Sequence, residues 1–100
     1  MEVRFHRLAV QEFREARDWY DARRPGLGRD FAAEVDRAVV RIGDHPERWT
    51  LFRDRFRWVR LRRFPYRLFY AVIGADTALV LAVAHTRRRP AYWIRQANRP

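Results

Sequence analysis

The hydrophobic positions change period twice along this chain, and each change marks a change of element. Glu2 to His6 alternates polar and apolar residues and predicts a short first strand. From Arg7 to about Arg24 the period is helical: Ala9, Phe13, Ala16 and Tyr20 fall at i, i+4, i+7 and i+11, with Trp19 on their flank. Trp19 and Tyr20 are expected in the core, and Glu12, Glu15, Asp18 and several arginines on the opposite, solvated face. Pro25-Gly26-Leu27-Gly28 breaks the pattern as a turn between helices. Leu27, Phe31, Val35, Ala38, Val39 and Ile42 then share a second helical face, with Gly43 at a C-cap position and Pro46 as the stop.

Pro46 to Arg57 has no period, yet Trp49, Leu51 and Phe52 are too apolar for a free linker. This stretch is expected to be a loop lying on the body of the protein. Arg57 to Arg63 alternates again, Val59 and Leu61 against Trp58, Arg60 and Arg62, which makes a strand with one basic face. Phe64-Pro65 interrupts it, because proline has no N–H for the ladder. Tyr66–Ile73 and Thr77–Ala84, joined by a Gly74-Ala75-Asp76 turn, are apolar on both faces and read as strands covered on both sides.

The element order is therefore β-α-α-β-β-β in a single domain spanning residues 1–100. Short connections make the last three strands an antiparallel meander centred on Tyr66–Ile73. The N-terminal strand can join its edge, and the helical hairpin packs on one face. That is a two-layer α+β fold with a mainly antiparallel sheet. Phe13, Tyr20, Phe31, Val35, Leu68 and Val83 are the expected common core.

Composition narrows the functional classes. An apolar content of 48% in 100 residues supports a real core rather than a disordered basic tail. With no cysteine, a disulfide framework and a cysteine metal site are both excluded. The three histidines have no carboxylate at ligand spacing, so no metal or other cofactor is expected. No apolar run reaches the roughly 20 residues of a membrane span, and the N-terminus lacks a signal-peptide apolar stretch, which predicts a cytoplasmic protein without a membrane partner. The net charge of +10, with all 22 basic residues arginine, directs attention to nucleic acid or a strongly acidic protein.

The candidate chemistry lies at the end of the chain. Arg67, Arg87, Arg88 and Arg89 can converge on a phosphate or carboxylate, since guanidinium groups bind such groups bidentately. Arg67 sits among residues that read as buried and needs a partner, so an ion pair with a helix carboxylate is its structural alternative. For Arg87 to Arg89 the alternative is plain surface solvation. His85 is either a general acid or base or a hydrogen-bonded residue at a strand end. Tyr92 and Trp93 either stack on a base or peptide or close the sheet edge by packing. Established catalytic signatures such as a phosphate-binding glycine loop are absent.

FPYRLFY and LAVAHTRRRPAYW, preceded by an amphipathic pair broken at RPGLG and closed by a proline, resemble the RelE/ParE superfamily of bacterial toxins. The resemblance covers essentially the whole chain. It implies a small sheet carrying a helical hairpin, and a role as the toxin of a type II toxin–antitoxin module, often labelled plasmid stabilisation proteins. The implied partner is a cognate acidic antitoxin, bound through Arg57, Arg60, Arg62, Arg87, Arg88, Arg89 and Trp93, which are equally the residues expected at a target. RelE-like members are mRNA endoribonucleases on the ribosome, driving 2′-OH attack on the phosphate; here Arg67, His85, Arg88 and Tyr92 would carry that reaction. Thr86 stands where a catalytic arginine would align, and the basic loop before the sheet has only arginines, which hold their protons too tightly to act as acids. The resemblance therefore leans toward ParE-like members, which inhibit DNA gyrase. A plain nucleic-acid-binding module is the remaining alternative.

Overall fold

The computed structural model describes residues 1–97 and has the expected α+β architecture. In chain order the elements are β1 (Glu2–Phe5), α1 (Arg7–Arg23), α2 (Leu27–Asp44), β2 (Thr50–Phe52), β3 (Phe56–Arg60), β4 (Tyr66–Ile73), β5 (Thr77–His85) and the short α3 (Ile94–Ala97). The five strands are ordered β1-β5-β4-β3-β2. β1 runs parallel to β5, and every other pair is antiparallel. The meander predicted from the sequence is present, with β4 at its centre.

β4 and β5 bury both faces, so each face needs a cover. α1 and α2 supply one through Phe31, Val35, Ala38 and Ile42, packed against Leu68, Tyr70, Val80 and Val83. Phe13 and Tyr20 join that core as partly buried neighbours. The second face is covered by the C-terminal segment: Trp93, Phe69, Leu81 and Phe56 form a separate core. A register shift between Phe69 and Tyr70 puts one extra residue, Leu81, into β5. Because strand side chains alternate, that insertion returns Val83 to the helix side although Val80 already lies there.

Four expectations require correction. Residues 46–57 are not all loop, because Thr50–Phe52 pairs with β3 as an edge strand. Three residues with Leu51 exposed are too short to show alternation. The rest of that stretch does lie on the body: the Trp49 indole N–H donates to the Arg41 carbonyl at 3.0 Å, and the Tyr70 hydroxyl to that of Pro46 at 2.6 Å. Gly43 is not the cap of α2, whose last N–H bond comes from His45 to the Arg41 carbonyl. Its lack of a side chain serves the chain start instead, since a Cβ there would lie 3.2 Å from the Met1 carbonyl oxygen. Trp19 is not core: it is 50% exposed, with the Arg23 guanidinium 3.6 Å from its ring centre. Finally, the strand expected at Arg57–Arg63 is Phe56–Arg60, ending where a buried carboxylate takes over the backbone.

That carboxylate is Glu34, on the apolar stripe of α2 and almost fully buried. Its Oε1 accepts the Arg62 and Arg63 backbone N–H groups at 2.8 and 3.2 Å, and its Oε2 accepts from Arg37 at 2.6 Å. It satisfies two donors in the β3–β4 connection that no strand reaches. The Arg37 hydrogen bond, with the two backbone donors, holds the carboxyl down from its ordinary 4.5 to about 2.

Two predictions follow from this packing. In an open helix Gly→Ala stabilises by about 0.5–1 kcal/mol. At Gly28 the new Cβ would meet the Arg17 carbonyl oxygen at 2.6 Å and the Asp21 Cβ at 2.9 Å, so overpacking wins. Gly28→Ala is expected to destabilise by about 1–3 kcal/mol, read as a lower urea midpoint; an unchanged or raised midpoint refutes the close helix contact. Glu34 has a depressed folded pKa, so its contribution is complete above about 4.5 and is lost as pH falls toward about 2. The stability difference between wild type and Glu34→Ala should therefore be constant from neutral pH to about 5 and shrink below it. A difference that does not change with acidification contradicts this role.

Candidate functional site

β1 ends at Phe5, which pairs with Val80, and the chain turns into α1 capped by the His6 side chain. The last residues of β5 therefore run past the end of their neighbour. The Val83 N–H points to that vacant edge, and Glu12 of α1 accepts it through Oε1 at 2.9 Å. The other carboxylate oxygen accepts the Tyr92 hydroxyl and lies 3.8 Å from Arg88 Nη1. Arg88 in turn stacks on Tyr92, its guanidinium carbon 3.6 Å from the ring centre. Burial pushes the Glu12 carboxyl above the ordinary carboxylate range, partly offset by the Tyr92 and Val83 hydrogen bonds. Burial and the adjacent carboxylate both push the Tyr92 phenol upward, so its proton is held tightly.

Beside this cluster α1 and the ends of β4 and β5 frame a cleft of about 340 Å³, lined by Glu12, Trp19, Tyr20, Tyr66, His85 and Arg88. His85 faces it because of the extra residue in β5. Its Nδ1 accepts the Arg87 backbone N–H at 3.0 Å, and its ring meets Tyr66 edge-on. His85, Arg88 and Tyr92 are thus brought together.

Arg67 is not with them. Strand alternation puts it on the face away from the helices, beside Trp58, with its guanidinium carbon 4.9 Å from that ring centre. The alternative for it, an ion pair with a helix carboxylate, is not formed among the described residues either, because the sheet itself lies between. Arg67 Nε is buried without a hydrogen-bond partner there. The indole face stabilises its charge instead.

The other arginines divide by employment. Arg57 donates to the Trp49 carbonyl at 2.8 Å, and Arg60 to those of Leu61 and Phe64 at 2.7 and 3.2 Å, so both staple loops to the sheet. Arg62 borders a second cleft of about 350 Å³ with Arg37, Val40 and Arg41. Arg87 and Arg89 are exposed. Trp93 is fully buried against Phe52, Phe56 and Phe69, and its ring is committed to packing.

Glu12 is the residue that reading the sequence missed, having been assigned to the solvated face of its helix. The signal was present: Glu12 follows Ala9 by three and precedes Ala16 by four, which places it on the buried stripe. Glu34 shows the same spacing to Phe31 and Ala38. Among the described residues no group of three His, Asp or Glu side chains is arranged to hold a metal ion, and no helix is long and apolar enough to cross a membrane.

Comparison with known proteins agrees with this architecture. The solved structure of the chromosomal ParDE TA system from P. aeruginosa contains a chain that superposes with a TM-score of 0.73 at 16% identity, covering 85% of this chain and 95% of that one. At such identity the likeness is one of fold. No curated protein matches the sequence. The family model described as "ParE toxin of type II toxin-antitoxin system, parDE" matches residues 3–90, nearly the whole described chain. With its helical hairpin on a five-stranded sheet, this chain belongs to the ParE toxin family of type II toxin–antitoxin systems.

Proposed function

We propose that this toxin arrests growth by inhibiting DNA gyrase, and that a cognate acidic antitoxin neutralises it by covering its exposed arginines. The observation that carries the first half is how the proton-transfer candidates are spent. Cleavage of RNA by 2′-OH attack needs a base, an acid and a cationic clamp converging on one phosphate. Tyr92 gives its hydroxyl proton to a hydrogen bond with Glu12, His85 Nδ1 is engaged by the Arg87 N–H, and Arg67 is on the opposite face of the sheet. This disposition favours a surface that binds a protein target over one that turns over a phosphodiester.

The second half is supported by family membership and by charge. A chain of +10 attracts an acidic segment strongly, and Arg62, Arg87 and Arg89 have side chains free to receive it. Association with the antitoxin should slow by roughly tenfold or more as salt is raised. A rate independent of ionic strength in stopped-flow measurements would remove the electrostatic part of the argument.

The target is tested by expressing the wild-type chain without antitoxin and following DNA and mRNA together, alongside supercoiling by purified gyrase. The expected outcome is growth arrest with a DNA-damage response, loss of gyrase supercoiling activity and intact mRNA. Codon-registered mRNA cuts with undamaged DNA would overturn the reading in favour of a ribosome-dependent endoribonuclease.

A further inference from the structure

The segment after β5 leaves the helix side of the sheet at His85 and reaches the other face at Trp93. Between these points it carries Arg87, Arg88 and Arg89. Its far end is fixed by burial of Trp93. Its middle is fixed by Glu12, whose two oxygens hold the Val83 N–H and the Tyr92 hydroxyl, 71 and 80 residues away in sequence. Arg88 is drawn into the same cluster, 3.8 Å from the carboxylate and folded over the Tyr92 ring. Of the three adjacent arginines, one is therefore engaged in the fastening, although its side chain stays 55% exposed. The backbone between is shaped by short turns, with Arg88 N–H to the His85 carbonyl and Tyr92 N–H to that of Arg89. Arg87 and Arg89 are left projecting from a short loop held at both ends.

We infer that Glu12 is a positioning residue for toxicity: by tying Tyr92 and Arg88 to the end of β5, it fixes the Arg87–Tyr92 loop in the shape in which Arg87 and Arg89 meet an acidic or phosphate-bearing surface of the target. The inference rests on the reading of this chain as a gyrase-directed toxin. Its physical basis is preorganisation. Two arginines on a fastened loop bind without first being ordered, whereas on a loose loop the ordering opposes binding. Glu12 need touch no target to matter.

The test uses Glu12→Ala, Glu12→Gln and Tyr92→Phe. Glutamine keeps an oxygen for the Val83 N–H and a polar group for Tyr92, while Tyr92→Phe cuts only the hydroxyl link and leaves the Val83 hydrogen bond in place. For each purified chain, gyrase inhibition and the exchange rates of the Val83, Tyr92 and Val35 amide hydrogens are measured. Glu12→Ala should weaken gyrase inhibition about ten- to a hundredfold, speed exchange at the Val83 and Tyr92 amides and leave exchange of the buried Val35 amide of α2 within about threefold of wild type. Glu12→Gln should restore most of the loss. Tyr92→Phe should weaken inhibition with faster exchange at Tyr92 and unchanged exchange at Val83.

Full potency in Tyr92→Phe, or in a folded Glu12→Ala, overturns the inference, as does an equal rise in exchange at the Val35 amide of α2 in every variant, the mark of a merely structural role. If Glu12→Ala does not fold, Tyr92→Phe alone decides by the same two readouts. A wild-type chain that leaves gyrase untouched overturns the gyrase reading and this inference with it. That result is distinct from a potent wild type with equally potent variants, which overturns the inference alone.

Discussion

The structure depends on one constraint: the β4–β5 pair is apolar on both faces, and a sheet of that kind has to be covered twice. The helical hairpin is large enough for one face only. The other falls to the last described residues of the chain, which cross the sheet and insert Trp93 among Phe52, Phe56 and Phe69. Truncating a buried residue of this size costs about 3–5 kcal/mol, a large part of the ~5–15 kcal/mol by which a domain is stable. The C-terminal segment is therefore part of the fold as well as the carrier of the basic cluster.

A second consequence concerns backbone groups at the ends of strands. In a sheet of five short strands, neighbours stop at different points and leave N–H groups without a ladder partner. Two helix carboxylates answer this. Glu34 takes the Arg62 and Arg63 N–H groups, and Glu12 takes that of Val83. Both lie on the buried stripes of their helices, where an unpaired carboxylate would be costly. Their environments nevertheless push them in opposite directions. Glu34 is dominated by Arg37 and titrates low; Glu12, whose nearest cation is 3.8 Å away, is dominated by burial and titrates high. In a chain so rich in arginine, the carboxylates are the scarcer group and hold the more structural positions.

Distribution of the arginines also separates structure from function. Charge composition makes every arginine look equally available, yet Arg57 and Arg60 are engaged with backbone carbonyls, Arg67 with an indole and Arg88 with a carboxylate and a phenol. Of the arginines expected at a partner, Arg62, Arg87 and Arg89 are exposed without an engagement of this kind among the described residues. Exposure alone therefore does not identify the arginines available to a partner: Arg60 and Arg88 are exposed as well, yet both are engaged.

The sequence by itself determined the order of the main elements apart from β2 and the short α3, the two amphipathic helices, the central strand and the sharing of a core by Phe31, Val35, Leu68 and Val83, because these follow from local periodicity. The motifs around FPYRLFY and LAVAHTRRRPAYW also sufficed to indicate the toxin superfamily. Tertiary structure decided what depends on distant pairing. β2 forms because β3 offers it a ladder, though its three residues carry no pattern of their own. One extra residue, Leu81, decides which side His85 faces, and a bulge leaves no mark in a uniformly apolar strand. Alternation along β4 sends Arg67 to the face opposite the cleft, separating residues that seemed in sequence to form one cluster. Glu12 meets Tyr92 across 80 residues because β1 stops short and exposes the end of β5, a fact about neighbouring strands that no spacing within α1 could express.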